Sequence, residues 1–310
     1  MTLSVTEPIS RAINRTREIL FEPFDIAKWF KLGFCAFLAH LADSSGGGAS
    51  GNTSSWQESG GSQKADRALE WLRENWELVV GIGIAVAIVI LAIVVLLLWL
   101  QGRGRFMFLD GVVRNRGAVV EPWHTYRAEG HGVFWFKLCF SLGGFFLMAI
   151  AAGIGVAIAW PDIDVEHFGG AALGGLIVGG GLFLMLGVSL LLIDMFLNDF
   201  VVPAMYARRI GVMEGWAVVR NEVFAAHGVQ VVLYVLMKIL IKLIIAALVI
   251  GLVCVTFCVA ACFLAIPYIG TVLMLPLLVF SRCYSLYFLD QLGGEWRLVS
   301  PVEEAEAELA

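Results

Sequence analysis

The chain has 310 residues, of which 59% are hydrophobic and 15% are charged, and its formal net charge is -5. A typical soluble domain is about half apolar and about a quarter charged, so this composition excludes a protein built only of soluble domains. Residues 78–101 contain no charged side chain. About 20 apolar residues in a helix cross the roughly 30 Å hydrocarbon core of a bilayer. The sequence therefore predicts an integral membrane protein.

Apolar runs along the chain predict an all-α integral membrane protein with about six transmembrane helices. In chain order, the predicted spans are 25–42, 78–101, 137–159, 171–194, 238–266 and 268–289. Pro267 and Gly270 predict a tight turn between the last two spans. The first run has a short apolar core, 32–42, so a re-entrant or interfacial helix is an alternative to a span there.

The positions of the charged residues predict the topology. Lys and Arg concentrate before the first run, between the second and third runs, and between the fourth and fifth. The loop between the third and fourth runs carries Asp162, Asp164 and Glu166 instead. The positive-inside rule then places both termini in the cytoplasm, which requires an even number of spans. Segment 43–63, rich in Gly and Ser, is a predicted flexible outer loop, and acidic segment 298–310 a predicted disordered tail.

A motif recurs three times: an arginine, a glutamate five residues later, then Pro or Gly, then an aromatic residue. Its charged members, which we take as candidate functional residues, are Arg17, Glu22, Arg116, Glu121, Arg209 and Glu214. Each copy precedes a pair of spans, and the pairs close on Asp110, Asp199 and Asp290. This order predicts three repeated helical hairpins, each preceded by a cytoplasmic interfacial segment. The predicted repeats are 1–102, 103–200 and 201–297.

Two roles are open for the repeated arginine and glutamate. Residues five apart lie on different faces of a helix, so we expect no ion pair within one copy. The arginine of one hairpin would instead contact the glutamate of a neighbour and close a pseudo-threefold ring. In the alternative, the arginine contacts lipid phosphate, and the glutamate before Pro23 or Pro122 only begins an interfacial helix. The lysines at the hairpin entrances are expected to snorkel towards lipid phosphates.

Three segments, 103–123, 199–217 and 281–296, share a pattern in which Val202-Pro203, Gly211 and Trp216-Ala217 take part. In this pattern the chain resembles an uncharacterised family of bacterial multi-pass membrane proteins. That family is similar in turn to the membrane domain attached to some glycerophosphoryl diester phosphodiesterases. Asn221 stands where that family often has serine.

The resemblance implies little about the function of the chain. The chain has no room for the soluble phosphodiesterase barrel or its metal-binding carboxylates, so no phosphodiesterase activity is expected. What the resemblance implies is a bacterial inner-membrane location and a role in handling lipids or their headgroups.

Two charged residues inside predicted spans are candidates for function. A charge at mid-membrane costs about 2.5–3.5 kcal/mol on insertion scales. Asp194 and Arg282 lie at similar depths below the same edge of the membrane, to judge from their distances in sequence to Asp199 and Asp290. These positions predict either a structural ion pair or the lining of a polar cavity.

Other residue groups predict packing rather than chemistry. Cys254, Cys258 and Cys262 share one helical face, but no His or Met cluster accompanies them, so we expect them to pack as small hydrophobic residues. The glycines of segment 169–181, with Gly155 opposite, predict a close helix–helix seam within the hairpin or between subunits. The scattered histidines and the lack of an HExxH motif or Ser-His-Asp set predict no enzyme, metal site or cofactor.

These observations predict a non-enzymatic membrane protein with a lipid-associated or scaffolding role. The expected partners are membrane lipids, together with a second copy of the chain or another membrane protein, and no nucleic acid. The alternative is a transporter or lipid flippase with a polar cavity near Asp194 and Arg282. An intramembrane enzyme or metal site is a third reading. A transporter requires a continuous polar path, whereas a scaffold would be sealed by side chains.

Overall fold

The computed structural model describes residues 3–47, 75–163, 169–256, 259–264 and 266–299. These residues are almost entirely helical, and no β-strand occurs among them. The all-α prediction is therefore confirmed over the described chain. The prediction of a flexible loop over 43–63 is wrong for its first residues, because α2 continues to Gly47. The rest of that predicted loop, the predicted tail from residue 300, and Asp164 and Glu166 lie outside the described residues.

The α-helices are numbered here in chain order. They are α1 Glu7–Leu20, α2 Ile26–Gly47, α3 Trp76–Val113, α4 Val120–Thr125, α5 Arg127–Ile163, α6 Gly170–Phe196, α7 Val202–Arg208, α8 Val212–Val218, α9 Ala225–Val255, α10 Val259–Leu264, α11 Pro267–Leu273 and α12 Leu275–Asp290. Two π-helical segments, Leu197–Val201 and Val219–Phe224, join α6 to α7 and α8 to α9.

The described chain contains four or five helical rods suited to a membrane. Those long and apolar enough to cross one are Trp76–Val113, Arg127–Asp162, Gly170–Arg208 and Val212–Val255. A fifth results if α11 and α12 count as one span, although they are bent by 62°. The bend falls just before Pro276, whose ring and missing N–H cannot continue a straight helix. Helix α2, where the sequence predicts the first span, is not among these rods.

The predicted boundary between the last two spans is wrong. Helix α9 ends at Val255, well inside the predicted span 238–266, and the short helix α10 follows. Pro267 and Gly270 belong to α11 and do not form a tight turn. Proline suits the first turn of a helix, where its missing N–H would have no partner in any case.

One end of the bundle, which we call the rim, joins α1 to the last residues of α3 and α12. The Arg15 guanidinium donates to the carbonyl of Val113 at 3.3 Å. Arg11 contacts the Asp290 carboxylate at 3.3 Å, and the Gln291 amide donates to the Ser4 carbonyl at 2.8 Å. The N-terminal segment and the ends of α3 and α12 therefore lie on the same side of the bundle.

Burial is concentrated in the part of the bundle nearest the rim. In α3, every residue from Gln101 to Val112 is buried, whereas most residues of 77–97 are exposed. The exposed part is apolar on all sides, as expected for a helix surrounded by lipid, since lipid tails cover it as well as leucine would. Apart from Glu77 in its first turn, the charged residues of α3 lie in this buried part, so the polar contacts of α3 lie near the rim.

Helices α5 and α6 pack through small residues. A Cβ atom on Gly179 would lie 2.5 Å from the Cα atom of Gly155, so the two backbones are in direct contact. Asp162 accepts a hydrogen bond from the backbone N–H of Ala172 at 2.6 Å and caps the first turn of α6. The glycine seam predicted from the sequence therefore lies within the hairpin.

Candidate functional site

Buried polar residues gather where α6 passes into the π-helical segment Leu197–Val201. Such π-helical turns are rare and are frequently found at functional sites. This turn carries Asn198 and Asp199, which contact side chains of α9 and α12: the Asn198 carbonyl accepts from Arg282, and Asp199 accepts from Lys238. The local widening of the helix thus places two polar residues inside the bundle.

Asp199 and Lys238 form a buried ion pair. Lys238 Nζ lies 3.2 Å from Asp199 Oδ2, and the Tyr234 hydroxyl donates to the same oxygen at 3.0 Å. Lys238 also donates to the Ser281 carbonyl at 3.1 Å. A buried ion pair needs such additional hydrogen bonds because desolvation of both charges opposes their attraction. Lys238 points into the bundle, so the expected snorkelling is wrong for this lysine.

A cavity of about 40 Å³ lies between α2, α3, the π-helical segment and α12. Its lining residues, all buried or half-buried, are Ala39, His40, Arg105, Phe108, Asn198, Asp199, Leu278, Ser281 and Arg282. One water requires roughly 10–15 Å³ on this measure, so there is room for about three. We call this space the arginine cavity, because two guanidinium groups from different helices line it.

Asp194 is bound by cations from two other helices. Arg105 of α3 and Lys137 of α5 each lie 3.2 Å from its Oδ1 atom. Lys137 also donates to the side-chain oxygen of Gln101 at 2.8 Å. Lys137 therefore turns towards α3 and α6, and snorkelling is wrong for this lysine too. Because Arg105 also lines the arginine cavity, it connects the ion pairs of Asp194 to that cavity.

The structure does not bring Asp194 and Arg282 together as an ion pair. Asp194 pairs with Arg105 and Lys137, while Arg282 donates to the Asn198 carbonyl at 2.5 Å and lines the arginine cavity. Depth along two helices fixes the height of each charge but not the direction in which its side chain points. Arg105 of α3 takes the place of Arg282 as the partner of Asp194, and it lines the cavity that contains Arg282.

Asp110, at the end of α3, is a second buried carboxylate with several donors. Its side chain has 0% exposure and accepts from Arg114 at 3.2 Å and from Arg116 at 3.0 Å. The hydroxyls of Tyr126 and Tyr206 donate to Oδ1 at 3.4 and 3.0 Å. The two tyrosine rings stack with centroids 5.0 Å apart. Asp110 thus ties α3 to the segment after it, to the start of α5 and to α7.

Two copies of the repeated motif form the ion pair that the helical spacing excludes. Arg17 contacts Glu22 at 2.7 Å, and Arg116 contacts Glu121 at 2.7 Å. The expectation of no pair within a copy is wrong, because neither pair lies on one helix: α1 ends at Leu20, and Arg116 lies in the turn between α3 and α4. The hydrogen bond from Arg116 lowers the pKa of the exposed Glu121 carboxyl.

One of the two Glu-Pro copies begins a helix. Glu121 and Pro122 lie in the first turn of α4, as the sequence predicts. Glu22 and Pro23 instead lie in the turn between α1 and α2, so the prediction is wrong there. Helix α1 ends at Leu20, and the next helix begins only at Ile26.

The third copy of the motif differs from the other two. Arg209, in a left-handed conformation with φ 55° after α7, contacts Glu129 of the preceding predicted repeat at 3.1 Å. Its guanidinium also lies 4.1 Å from the Tyr126 ring centroid. Glu214 instead accepts from the backbone N–H of Gly211 and caps α8. Among the described residues, Arg209 is the one motif arginine that contacts a glutamate of another repeat, and that glutamate is not a motif member, so the predicted ring of motif partners does not form.

Metal-ligating side chains are not grouped within the part of the chain that the structure describes. There, no three His, Cys, Asp or Glu residues lie close enough to hold a metal ion. Cys254 and Cys262 are exposed, so the expectation that they pack is wrong for these two, and Cys258 lies outside the described residues.

Several residues of these buried polar contacts are not recognisable from the sequence. Arg105 lies in a cationic segment between predicted spans, Lys238 stands at a hairpin entrance where snorkelling is expected, and Tyr234 carries no signal. Asp110 and Asp199 were recognised only as recurring hairpin ends. The one available signal for their role was that an aspartate closes every hairpin at the same place.

Comparison with known proteins identifies the family of the chain. No curated protein and no solved structure matches the chain. A family model matches residues 3–279, which include Asp110, Asp194 and Asp199 and stop three residues before Arg282. Since this match covers most of the chain, it establishes the family. The chain belongs to DUF7544, a family of unknown function.

Proposed function

We propose that the protein is a non-enzymatic, lipid-associated membrane protein that holds a phospholipid against the hairpin of α5 and α6. The observation that carries this proposal is a groove of about 760 Å³ along the hairpin. Its walls are mostly apolar, with Phe140, Phe145 and Leu191 among them, and Lys137 and Asp194 line it too.

The composition of the groove fits a phospholipid. Its apolar wall contacts an acyl chain about as favourably as the surrounding lipid does. The wall alone therefore gives little preference for the groove over the bulk membrane. Selectivity would come from Lys137 and Asp194, whose side chains are 13% and 32% exposed and present charge next to the apolar wall. A second copy of the chain or another membrane protein seated on the exposed apolar surfaces is the alternative partner.

A transporter or lipid flippase is the second candidate, because the arginine cavity lies beside Asp194 and contains Arg282. Two observations favour the lipid-associated role. The volume of the cavity is enough for only about three waters, and none of its lining residues is exposed. A transported headgroup would need a wider polar path than the described residues provide.

The proposed topology has six spans in three hairpins, in a bacterial inner membrane with both termini in the cytoplasm. Support comes from the rim, where α1 contacts the ends of α3 and α12 through Arg15 and Arg11. If α1 and the end of α3 share one side, the intervening chain must cross and return. Helix α2 has 22 residues, which at 1.5 Å each is about 33 Å, enough for the outward crossing.

The repeat and the family resemblance are parts of the same proposal. Each predicted hairpin closes on an aspartate that forms an ion pair: Asp110 with Arg114, Asp199 with Lys238, and Asp290 with Arg11. This recurrence supports a common hairpin unit. The similarity to the membrane domain of glycerophosphoryl diester phosphodiesterases, which we also propose, would place that unit among proteins that act near lipid headgroups.

Reporter fusions test the topology. We expect a reporter after Gly51 or Asp164 to be external, and one after Arg116 or Glu304 to be cytoplasmic, because the cationic segments remain inside. Alkaline phosphatase and green fluorescent protein fusions measure this directly. A cytoplasmic result after Gly51 would mean that α2 does not span, and would leave an odd number of crossings.

Filling the groove tests the lipid site. Gly187 lines the groove, and a Cβ there would meet only the Met148 methyl group at 3.8 Å, so Gly187→Leu adds bulk without a backbone clash. We expect this variant to lose phospholipid adducts seen by native mass spectrometry of the wild type. Gly181→Leu is the matched control, because Gly181 is exposed and has no neighbour within 4 Å. Equal adducts on both variants would refute the groove as the site.

A further inference from the structure

Arg282 is a buried cation with hydrogen-bond donors left over. Its residue exposure is 4%, and Nη1 donates to the Asn198 carbonyl. Its Nε and Nη2 atoms have no hydrogen-bond acceptor among the described residues. Buried polar groups are nearly always hydrogen-bonded, and a buried charge most strongly requires a partner. These two donors therefore require an acceptor that the described part of the chain does not supply.

The neighbouring carboxylate does not fill this role. Asp199 lines the same cavity, but its Oδ2 atom accepts from Lys238 and Tyr234, and its Oδ1 atom accepts from the Asn198 amide at 3.5 Å. Within the described ranges, no carboxylate lies at ion-pair distance from Arg282. Asp199 is thus neutralised by Lys238, and its charge opposes an incoming anion less than an unpaired aspartate would.

The arginine cavity brings further donors to the same space. His40, Ser281 and the Asn198 amide lie in its lining with Arg282, and a second guanidinium, that of Arg105, faces it from α3. Apart from Asp199, the remaining lining residues are apolar: Ala39, Phe108 and Leu278. Room for about three waters is also room for one small tetrahedral anion.

The free atoms of Arg282 select the chemistry of the ligand. Nε–H and Nη2–H lie on the same edge of the planar guanidinium and point in parallel, which matches two oxygens of one phosphate or carboxylate group. Water would satisfy the hydrogen bonds but not the charge. We propose that the arginine cavity is a binding site for one phosphate-type oxyanion, held in bidentate fashion by Arg282.

The phosphate group has two possible sources with the same chemistry, inorganic phosphate and a lipid phosphate. The site is separate from the α5–α6 groove, since Arg282 does not line that groove. The two proposals can therefore fail independently. Phosphorus released from denatured, extensively delipidated protein and identified by ³¹P NMR distinguishes a phosphodiester lipid from the free ion.

The experiment compares wild type, Arg282→Gln, Arg282→Lys and Arg17→Gln in detergent. The thermal midpoint is measured against inorganic phosphate at constant ionic strength, together with bound phosphorus per chain. We expect either one tightly bound phosphorus per wild-type chain or a saturable rise of the midpoint with phosphate. Arg282→Gln should lose the bound phosphorus or weaken the phosphate response by about tenfold or more.

The other variants keep the result interpretable. Arg17 is 73% exposed, so Arg17→Gln should behave as wild type if the effect is specific to the cavity. Arg282→Lys keeps the charge but loses the paired donors, and should bind with intermediate affinity even if Arg282→Gln does not fold. No bound phosphorus and no phosphate-dependent midpoint in the wild type would overturn the proposal. An undiminished response in Arg282→Lys would overturn the bidentate geometry.

Discussion

Replacing Asp110 with alanine is expected to destabilise the protein by about 3 kcal/mol. The carboxylate is fully buried and accepts from Arg114, Arg116, Tyr126 and Tyr206. Removing it leaves two cations without their shared partner and two buried hydroxyls without an acceptor. The two arginines are partly exposed and Arg116 retains Glu121, so the loss should fall at the low end for a broken buried ion pair. Thermal or denaturant unfolding in detergent measures it.

Asp290→Ala is the graded control for this prediction. Asp290 closes the last predicted hairpin in the same way, but its side chain is 19% exposed and meets only the exposed Arg11. We expect a loss well below that of Asp110→Ala, about 1 kcal/mol or less. Similar losses for the two variants would show that burial and the number of donors do not set the stability at these positions.

The spans were the most predictable part of the fold. A helix in lipid needs little more than an uninterrupted apolar composition, and this requirement is visible in residues 78–101 and 171–194 without any knowledge of neighbours. The ends of the helices were less predictable from the sequence. Helix α3 continues to Val113 through several charged residues, because ion pairs near the rim, such as those of Arg105 and Asp110, compensate their burial. Hydropathy alone ends the helix where the charges begin.

The polar core was not predictable from the sequence in the same way. Arg105 follows the apolar run closely, in a segment whose composition is typical of a cytoplasmic loop. It is nevertheless buried and contacts Asp194. Lys238 stands at the start of a predicted span, where a lysine usually reaches outwards. Whether such a side chain points to lipid or to the core depends on the rotation of its helix, and that rotation is set by packing between distant segments.

The repeated Arg and Glu show a different limit. The spacing argument was correct for a helix but was applied to residues that lie in turns. In Arg17–Glu22 and Arg116–Glu121 the chain leaves the helix between or before the two residues, so they can approach to 2.7 Å. Recurrence singles out these residues, whereas their partners depend on helix ends that the sequence defines only within a few positions.

The glycine seam carries the other large expected effect. Gly179→Ala should destabilise the hairpin by about 3 kcal/mol, the upper part of the range for overpacking. The added Cβ would lie 2.5 Å from the Cα atom of Gly155 and 3.1 Å from its nitrogen. Backbone atoms cannot turn aside as a flexible side chain can, so α5 and α6 must separate along the seam. Unfolding in detergent, with pair distances across the hairpin from spin labels, measures both consequences.

Gly180→Ala provides the matched control one residue along the same helix. A Cβ at Gly180 has no neighbour within 4 Å, and alanine is a better helix former than glycine by up to about 1 kcal/mol in water. We therefore expect Gly180→Ala to be neutral or stabilising, opposite in sign to Gly179→Ala. If both changes cost the same, the effect would come from altered helix propensity or lipid contact. If only Gly179→Ala is costly, direct backbone contact with Gly155 is what holds α5 against α6, and Lys137 of α5 and Asp194 of α6 depend on that contact for their position in the groove.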